Sequence, residues 1–445
     1  MRKISAILLL VIFAAFTVSA QLKITPLNIK ERTLANGLKI VSVQDNSSPA
    51  VAVQVWYNVG SKNDPVGRSG FAHLFEHLMF KSTKNMKSEM IDRITEDVGG
   101  EGSNASTSDD FTDYIDVVPS NNLEALIWAE ADRMVNLNVD EANFKSERAV
   151  VEEEFRQSVL AQPYGQFGEA IQQQMFDVHP YKRTTIGSIE DLEAATNSDA
   201  EKFYKTFYRP DNAMLVVVGD FDQAQFDGWV NKYFNKVNKP NGAIPRVTVT
   251  EPARTKEKRL VVKVPNVPLP AVSIGYLAPT AKDKDSAALS VAEAVLSGGE
   301  SSRLYQELVY KQQIAQEAQF NFGTNVDKGV MNFTATMASG KTVEEGEKSL
   351  LAELKKMQDS KISETELEKA KNTIIANNIR RLETNKGKTF ALGYTWIMQG
   401  DPTLINEQVK KIQAVTVADV QRVMKKYFTD NNRVVIYYEN EESAK

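Results

Sequence analysis

The chain has no cysteine, and only three histidines among its 445 residues. Without thiols there can be no disulfides, cysteine nucleophiles, iron–sulfur clusters or thiolate zinc sites. Any bound metal must therefore take imidazole and carboxylate ligands, and the only imidazoles are His73, His77 and His179. Positive charge is not in surplus either. With 53 Lys+Arg against 58 Asp+Glu the formal net charge is −5, so the basic field that recruits nucleic acid is missing. The apolar run 4–16 is shorter than the roughly 20 residues of a membrane span. It follows Arg2 and Lys3 and leads into Thr17-Val18-Ser19-Ala20, with small residues at the −3 and −1 positions of a cleavage site. Residues 1–20 thus read as a signal peptide, which predicts a bacterial periplasmic location and no stable membrane span after cleavage.

What is present is ordinary globular usage, 42% hydrophobic and 25% charged, so the chain folds rather than remaining disordered. Its length accommodates two or three domains. Two stretches of similar layout follow one another. Pro49-Ala50-Val51-Ala52-Val53 opens an alternating strand, and Pro270-Ala271-Val272-Ser273-Ile274 does the same 221 residues later. Thr196 and Asp199 open a helix that leads to the strand at 214–218; Thr416 and Asp419 open its counterpart, 220 residues on, before the strand at 434–438. The spacing predicts a duplicated α+β fold, with residues 21–238 as one domain and 259–445 as the other. Between them, 239–258 reads as a linker whose charged run 254–259 is solvated.

Chemistry concentrates in Phe71-Ala72-His73-Leu74-Phe75-Glu76-His77-Leu78-Met79-Phe80. On a helix His73 and His77, four apart, project from one face at the separation that lets two imidazoles grip one tetrahedral ion. Glu76 flanks that face, where a carboxylate can take a proton from an attacking water. The third ligand must be acidic or His179, and His179, before Pro180, reads as structural. In the helical run 147–156, positions 147, 150, 151 and 154 form one stripe, so Glu147 and Glu154 share an apolar face where carboxylates are costly unless paired. Seven residues span about 10.5 Å of helix. One of the two should then be a ligand and the other its support.

The order His-x-x-Glu-His, with the acidic helix behind it, resembles the insulinase/pitrilysin-type zinc peptidases, which include mitochondrial processing peptidases and small bacterial processing-type members. The likeness extends through Gly99-Gly100-Glu101-Gly102-Ser103-Asn104-Ala105-Ser106-Thr107, Asp110, Thr112, Tyr114, Ala131-Asp132-Arg133-Met134, His179-Pro180-Tyr181 to Gly187, and Gly298-Gly299-Glu300-Ser301-Ser302-Arg303-Leu304-Tyr305. The resemblance implies two homologous domains, each a mainly antiparallel sheet packed with helices. It implies one Zn²⁺ per chain on His73, His77 and Glu154, the last being 77 residues after the second histidine. It also implies Glu76 as general base, Glu147 as the supporting acid in the catalytic set, and an edge strand at Asn104, Ala105, Ser106 and Thr107 that binds extended peptide. The second domain has no histidine and carries no such site. The oxyanion partners are left open among Arg303 or Arg381 with Tyr305 or Tyr394.

The expectation is therefore a secreted zinc endopeptidase acting on peptides or short unfolded segments, as a homodimer or as a heterodimer with a related subunit. A non-catalytic scaffold or partner subunit is the alternative, and a zinc-sequestering protein a third.

Overall fold

The computed structural model describes residues 25–441, and the leader read at 1–20 lies outside them. The first half runs β1 (Lys30–Thr33), β2 (Lys39–Gln44), β3 (Ala50–Tyr57), α1 (Phe71–Leu78), α2 (Met90–Glu96), β4 (Glu101–Thr107), β5 (Thr112–Pro119), α3 (Leu123–Asn136), α4 (Glu141–Phe155), α5 (Gly165–Met175), α6 (Ile189–Glu193), α7 (Asn197–Phe207), β6 (Ala213–Gly219) and α8 (Gln223–Phe234). The second half runs β7 (Lys258–Val264), β8 (Ala271–Leu277), α9 (Ser286–Ser297), β9 (Ala315–Phe322), β10 (Val330–Met337), α10 (Val343–Asp359), α11 (Glu364–Arg381), α12 (Asn385–Gln399), α13 (Gln408–Gln413), α14 (Val417–Tyr427) and β11 (Arg433–Asn440).

Two sheets result, ordered β1-β2-β6-β3-β5-β4 and β7-β11-β8-β10-β9. Without β1 the orders coincide, β2 matching β7, β3 matching β8 and β6 matching β11. In each sheet the first of these strands lies parallel to the last, and the other pairings are antiparallel. The fold is α+β, as the sequence predicts. Both anticipated capping boxes form, Thr196 with Asp199 opening α7 and Thr416 with Asp419 opening α14. Each satisfies amide groups that the first helical turn leaves without partners.

The central strands β3, β6 and β8 are buried along almost their whole length, so both faces of each sheet need cover. In the first sheet Val51, Val53, Val55 and Tyr57 pack among the helices of their own half, with Phe71, Phe75 and Phe203. The opposite face, Val41, Val43, Trp56, Met214, Val216 and Val218, is closed by Ala391, Leu392 and Met398 of α12, from the second half. The converse holds for the second sheet, where Val434, Ile436 and Tyr438 meet Phe167 and Met175 of α5, from the first half. Helices α5 and α12 begin at residues 165 and 385, 220 positions apart, which is the repeat spacing. The exchange is therefore reciprocal and obeys the duplication.

Close contact at these faces depends on two glycines. A Cβ on Gly393 of α12 would stand 2.0 Å from the Trp56 ring, and one on Gly275 of β8 would stand 2.4 Å from the Met175 sulfur. Residues 239–257 contain neither helix nor strand. The charged run 254–259, which overlaps their end, is not uniformly solvated, contrary to its reading as a linker face. The Arg254 side chain is only 8% exposed, pairing with Asp177 and donating to the Met175 carbonyl, because α5 draws it against the second sheet.

Gly393→Ala should overpack the Trp56 contact and destabilise the chain by ~1–3 kcal/mol, read as a lowered urea midpoint at unchanged m value. Asp45, after β2, accepts from Lys388 of α12. That hydrogen bond, helped by Ser47, holds its carboxyl down to about 2 from an ordinary 3.8. The pair's contribution is therefore present above pH 3.8 and lost as pH falls through about 2. Asp45→Asn should melt below the unmutated chain at pH 6, with the two melting temperatures converging toward pH 2.

Candidate metal centre

Five of the eight α1 residues, Phe71, Ala72, Leu74, Phe75 and Leu78, are buried apolar groups, which leaves His73, Glu76 and His77 on the remaining flank. The helix is held at both ends. The Gly70 and Ala72 amides donate to the buried Asp64 carboxylate at 2.8 and 2.9 Å, and Tyr114 Oη of β5 donates to the Phe75 carbonyl at 3.0 Å. The histidine face is thus fixed against the sheet before any ligand arrives.

Helix α4 lies alongside α1. Its buried stripe is Phe144, Glu147, Val151 and Phe155. This corrects the predicted 147/150/151/154 stripe, because the two phenylalanines dominate the burial and turn Val150 outward to 47% exposure. Glu154 therefore sits at the margin of the buried face, with its side chain 44% exposed and open to the histidines. Its Oε2 is 3.6 Å from His73 Nε2 and 3.4 Å from His77 Nε2. Glu147 lies behind, with Oε2 3.8 Å from His77 Nδ1 and Oε1 2.7 Å from Lys81 Nζ. Both glutamates thus address one imidazole from its two nitrogens, which reconciles their separation along the helix.

One ligand atom from each of His73, His77 and Glu154 falls within a 4.8 Å cluster. Separations of 3.4 and 3.6 Å are long for hydrogen bonds. They are close to the about 3.3 Å expected between neighbouring ligands on a tetrahedral ion with bonds of about 2.0–2.1 Å. Burial, with His77 beside it, holds His73 down to about 4, so its imidazole is neutral at pH 7 and can coordinate without first losing a proton. The donor set fits zinc.

Glu76 accepts from Thr107 Oγ1 at 2.6 Å. Burial pushes its carboxyl up to about 7 against that hydrogen bond, and the charges of Asp113 and Glu154 add to the rise. Thr107 ends β4, which pairs with β5 on one side and forms the edge of the described sheet on the other. Asn104, Ala105 and Ser106 run along this edge toward the cluster, and Ser106 is anchored by a 2.5 Å bond to Asp113.

The structure brings His73, Glu76, His77, Glu147, Glu154 and Thr107 together. His179 is elsewhere, 1% exposed, with Nδ1 accepting from the Tyr181 amide at 3.2 Å and Nε2 3.4 Å from Asp327. Arg303 is engaged by both carboxylate oxygens of Glu366, Arg381 donates to Asn378, and Tyr394 bonds Thr324, so none of them contacts the cluster. Tyr305 opens a π-helical turn, Tyr305–Lys311, also in the second half. Sequence reasoning missed the Thr107 bond to Glu76 and the Lys81 bond to Glu147. Lys81 had a signal, four residues beyond His77. Thr107 had only its place after the glycine-rich run.

Residues 39–188 match the family model described as Insulinase (Peptidase family M16), and residues 194–374 match the one described as Peptidase M16 inactive domain. The chain is 35% identical over 410 residues to the zinc protease PqqE of Helicobacter pylori, covering 91% of each protein. It superposes on the crystal structure of a protease from Helicobacter pylori with a TM-score of 0.90 at 33% identity, covering 93% of this chain and 100% of that one. The periplasmic protease PqqL of Escherichia coli shares the fold, with a TM-score of 0.77 at 19% identity, covering 94% of this chain and 48% of the other.

Glu147→Gln removes the negative charge that faces Lys81 and His77 Nδ1 while keeping the side chain's shape. It should weaken zinc binding by about 10–100-fold, measured by chelator competition, with the circular dichroism spectrum unchanged.

Proposed function

The chain belongs to the insulinase family of peptidases, family M16, and on that premise we propose that it is a zinc endopeptidase exported to the bacterial periplasm, cleaving peptides and short unfolded segments. The observation that carries this reading is the convergence of His73, His77 and Glu154: Glu154 Oε2 stands 3.6 and 3.4 Å from the two imidazole Nε2 atoms, near the edge of a coordination tetrahedron, and one ligand atom from each residue lies within 4.8 Å of the others. In this reading residues 21–238 form the zinc-bearing domain, 239–258 the linker and 259–445 the related domain without a site. The leader read at 1–20 and the likeness to the periplasmic protease PqqL of Escherichia coli support export.

His73, His77 and Glu154 would hold one Zn²⁺. Bound there, it supplies a Lewis acid that polarises a peptide carbonyl and lowers the pKa of water toward about 7. The chain's own groups do the rest. Glu76 takes the proton of the attacking water and delivers it to the leaving amine. A carboxyl raised to about 7 by burial holds a proton well enough to complete that transfer. Thr107 Oγ1 fixes the carboxylate's direction. Glu147, pinned by Lys81, sits against His77 Nδ1 and holds that ring in its ligating orientation. The outer edge of β4, at Asn104, Ala105, Ser106 and Thr107, carries no further strand among the described residues, and an extended peptide adding to it would bring its scissile bond beside Glu76. In this reading the chain acts as a homodimer or as a heterodimer with a related subunit.

Cleavage of quenched-fluorescent peptides by the chain from Gln21, with Glu76→Gln beside it and zinc measured on both, tests the reading. The expectation is about one zinc in each sample and a kcat lower by about 10²–10⁴-fold in the variant. Zinc in both without cleavage by either would mean a scaffold or partner subunit. Cleavage surviving Glu76→Gln would remove that residue from the mechanism.

A further inference from the structure

Two hairpin tips meet at the boundary between the halves. The β4–β5 turn, residues 108–111, stays closed through the Ser108 amide bonding the Phe111 carbonyl at 2.8 Å. The β9–β10 turn, residues 323–329, is its counterpart in the repeat. From the first turn Asp110 Oδ2 accepts the Val326 amide at 3.0 Å, and Asp109 Oδ2 accepts Asn325 Nδ2 at 3.0 Å. The acids are anchored from behind. Tyr181 Oη and Lys62 Nζ donate to Asp110 Oδ1 at 2.6 and 2.5 Å, while Ser61 Oγ and Gln172 Nε2 donate to Asp109 Oδ1 at 2.9 and 3.1 Å. Tyr181 Oη also accepts the Asp327 amide at 3.2 Å, and His179 faces the Asp327 carboxylate.

Asp110 is 1% exposed and Tyr181 fully buried, so these bonds lie in a low-dielectric seam where a lost partner is costly. The turn they grip begins one residue after Thr107, whose hydroxyl directs Glu76. We infer that Asp109 and Asp110 form a latch between the two hairpin tips, through which the seating of the second half sets the position of Thr107 and hence of the Glu76 carboxylate. Asp110 and Tyr181 are then positioning residues, and the His179-Pro180-Tyr181 run serves the latch rather than a metal. The second half, which carries no metal cluster among the described residues, contributes to catalysis by holding the first half's base in line.

This inference rests on the peptidase reading, and its test separates the two. The chain from Gln21 and its Tyr181→Phe, Asn325→Ala and Asp110→Asn variants are compared for peptide kcat and KM, zinc content, melting temperature and deuterium exchange across residues 103–112. The latch requires Tyr181→Phe and Asn325→Ala each to lower kcat about ten-fold, with KM within about two-fold, zinc unchanged and exchange at 103–112 accelerated. On a Thr107→Val background the same replacements should cost less than about two-fold, because the contact they act through is already gone. Full losses on that background overturn the proposal, as does a lower melting temperature with kcat and exchange unmoved. Should Asp110→Asn fail to fold, the two milder variants decide. If the unmutated chain turns over no peptide, the peptidase reading fails and the exchange rates alone judge the latch.

Discussion

The strands β3, β6 and β8 at the heart of the two sheets bury side chains on both faces, whereas the helices of their own half cover only one, and the rest of the molecule follows from how the second face is closed. A layer of about 10 Å of side chains must come from somewhere, and here it comes from the opposite half. Helix α12 lies on Trp56, Val216 and Val218, and α5 lies on Ile436 and Tyr438. Neither half can complete its core alone. The seam is accordingly made largely of core contacts, with buried polar bonds where the two hairpin tips meet, rather than of the wet surface typical of mobile domain pairs. It also places the tip of the second sheet against the turn that follows the edge strand, which is how a half without histidine comes to sit close to the metal centre.

Within the centre, burial does the tuning. His73 is neutral because a charged imidazole is poorly solvated there, which leaves a lone pair ready for a cation. Glu76 is pushed the other way by the same cause, toward a carboxyl that keeps a proton. Opposite shifts in neighbouring groups, driven by one desolvated pocket, would divide the labour between ligand and base in the proposed peptidase.

Much of this could be read from the chain. Spacings of three and four residues put His73, Glu76 and His77 on one helix flank whatever the tertiary structure, and the Thr-x-x-Asp boxes at 196 and 416 mark helix starts through local hydrogen bonds. The repeat showed for the same reason, since each half repeats local signals at a fixed interval. What stayed hidden depends on contacts remote in sequence. The exchange of α5 and α12 leaves no local trace, because an amphipathic helix shows that it has an apolar face and not which sheet that face meets. The rotation of α4 is also hidden, because Val150 and Val151 are equivalent in a stripe until Phe144 and Phe155 choose between them. The Thr107 bond to Glu76 joins residues 31 apart, and no periodicity reaches so far.

The reciprocal exchange has a historical reading. Cut at the linker, each half would be a sheet with one face bare and one helix looking for a sheet to cover, and two such pieces would satisfy each other by trading helices. That is the geometry of a swapped homodimer whose two chains have been joined end to end. Fusion replaces a bimolecular encounter with an intramolecular one at an effective concentration of order millimolar, so the pairing no longer depends on how much protein is made. It also frees the copies from identity. Once joined, one half could keep the histidines and the other lose them, and the asymmetry of a single histidine cluster on a symmetric frame becomes possible only after that union.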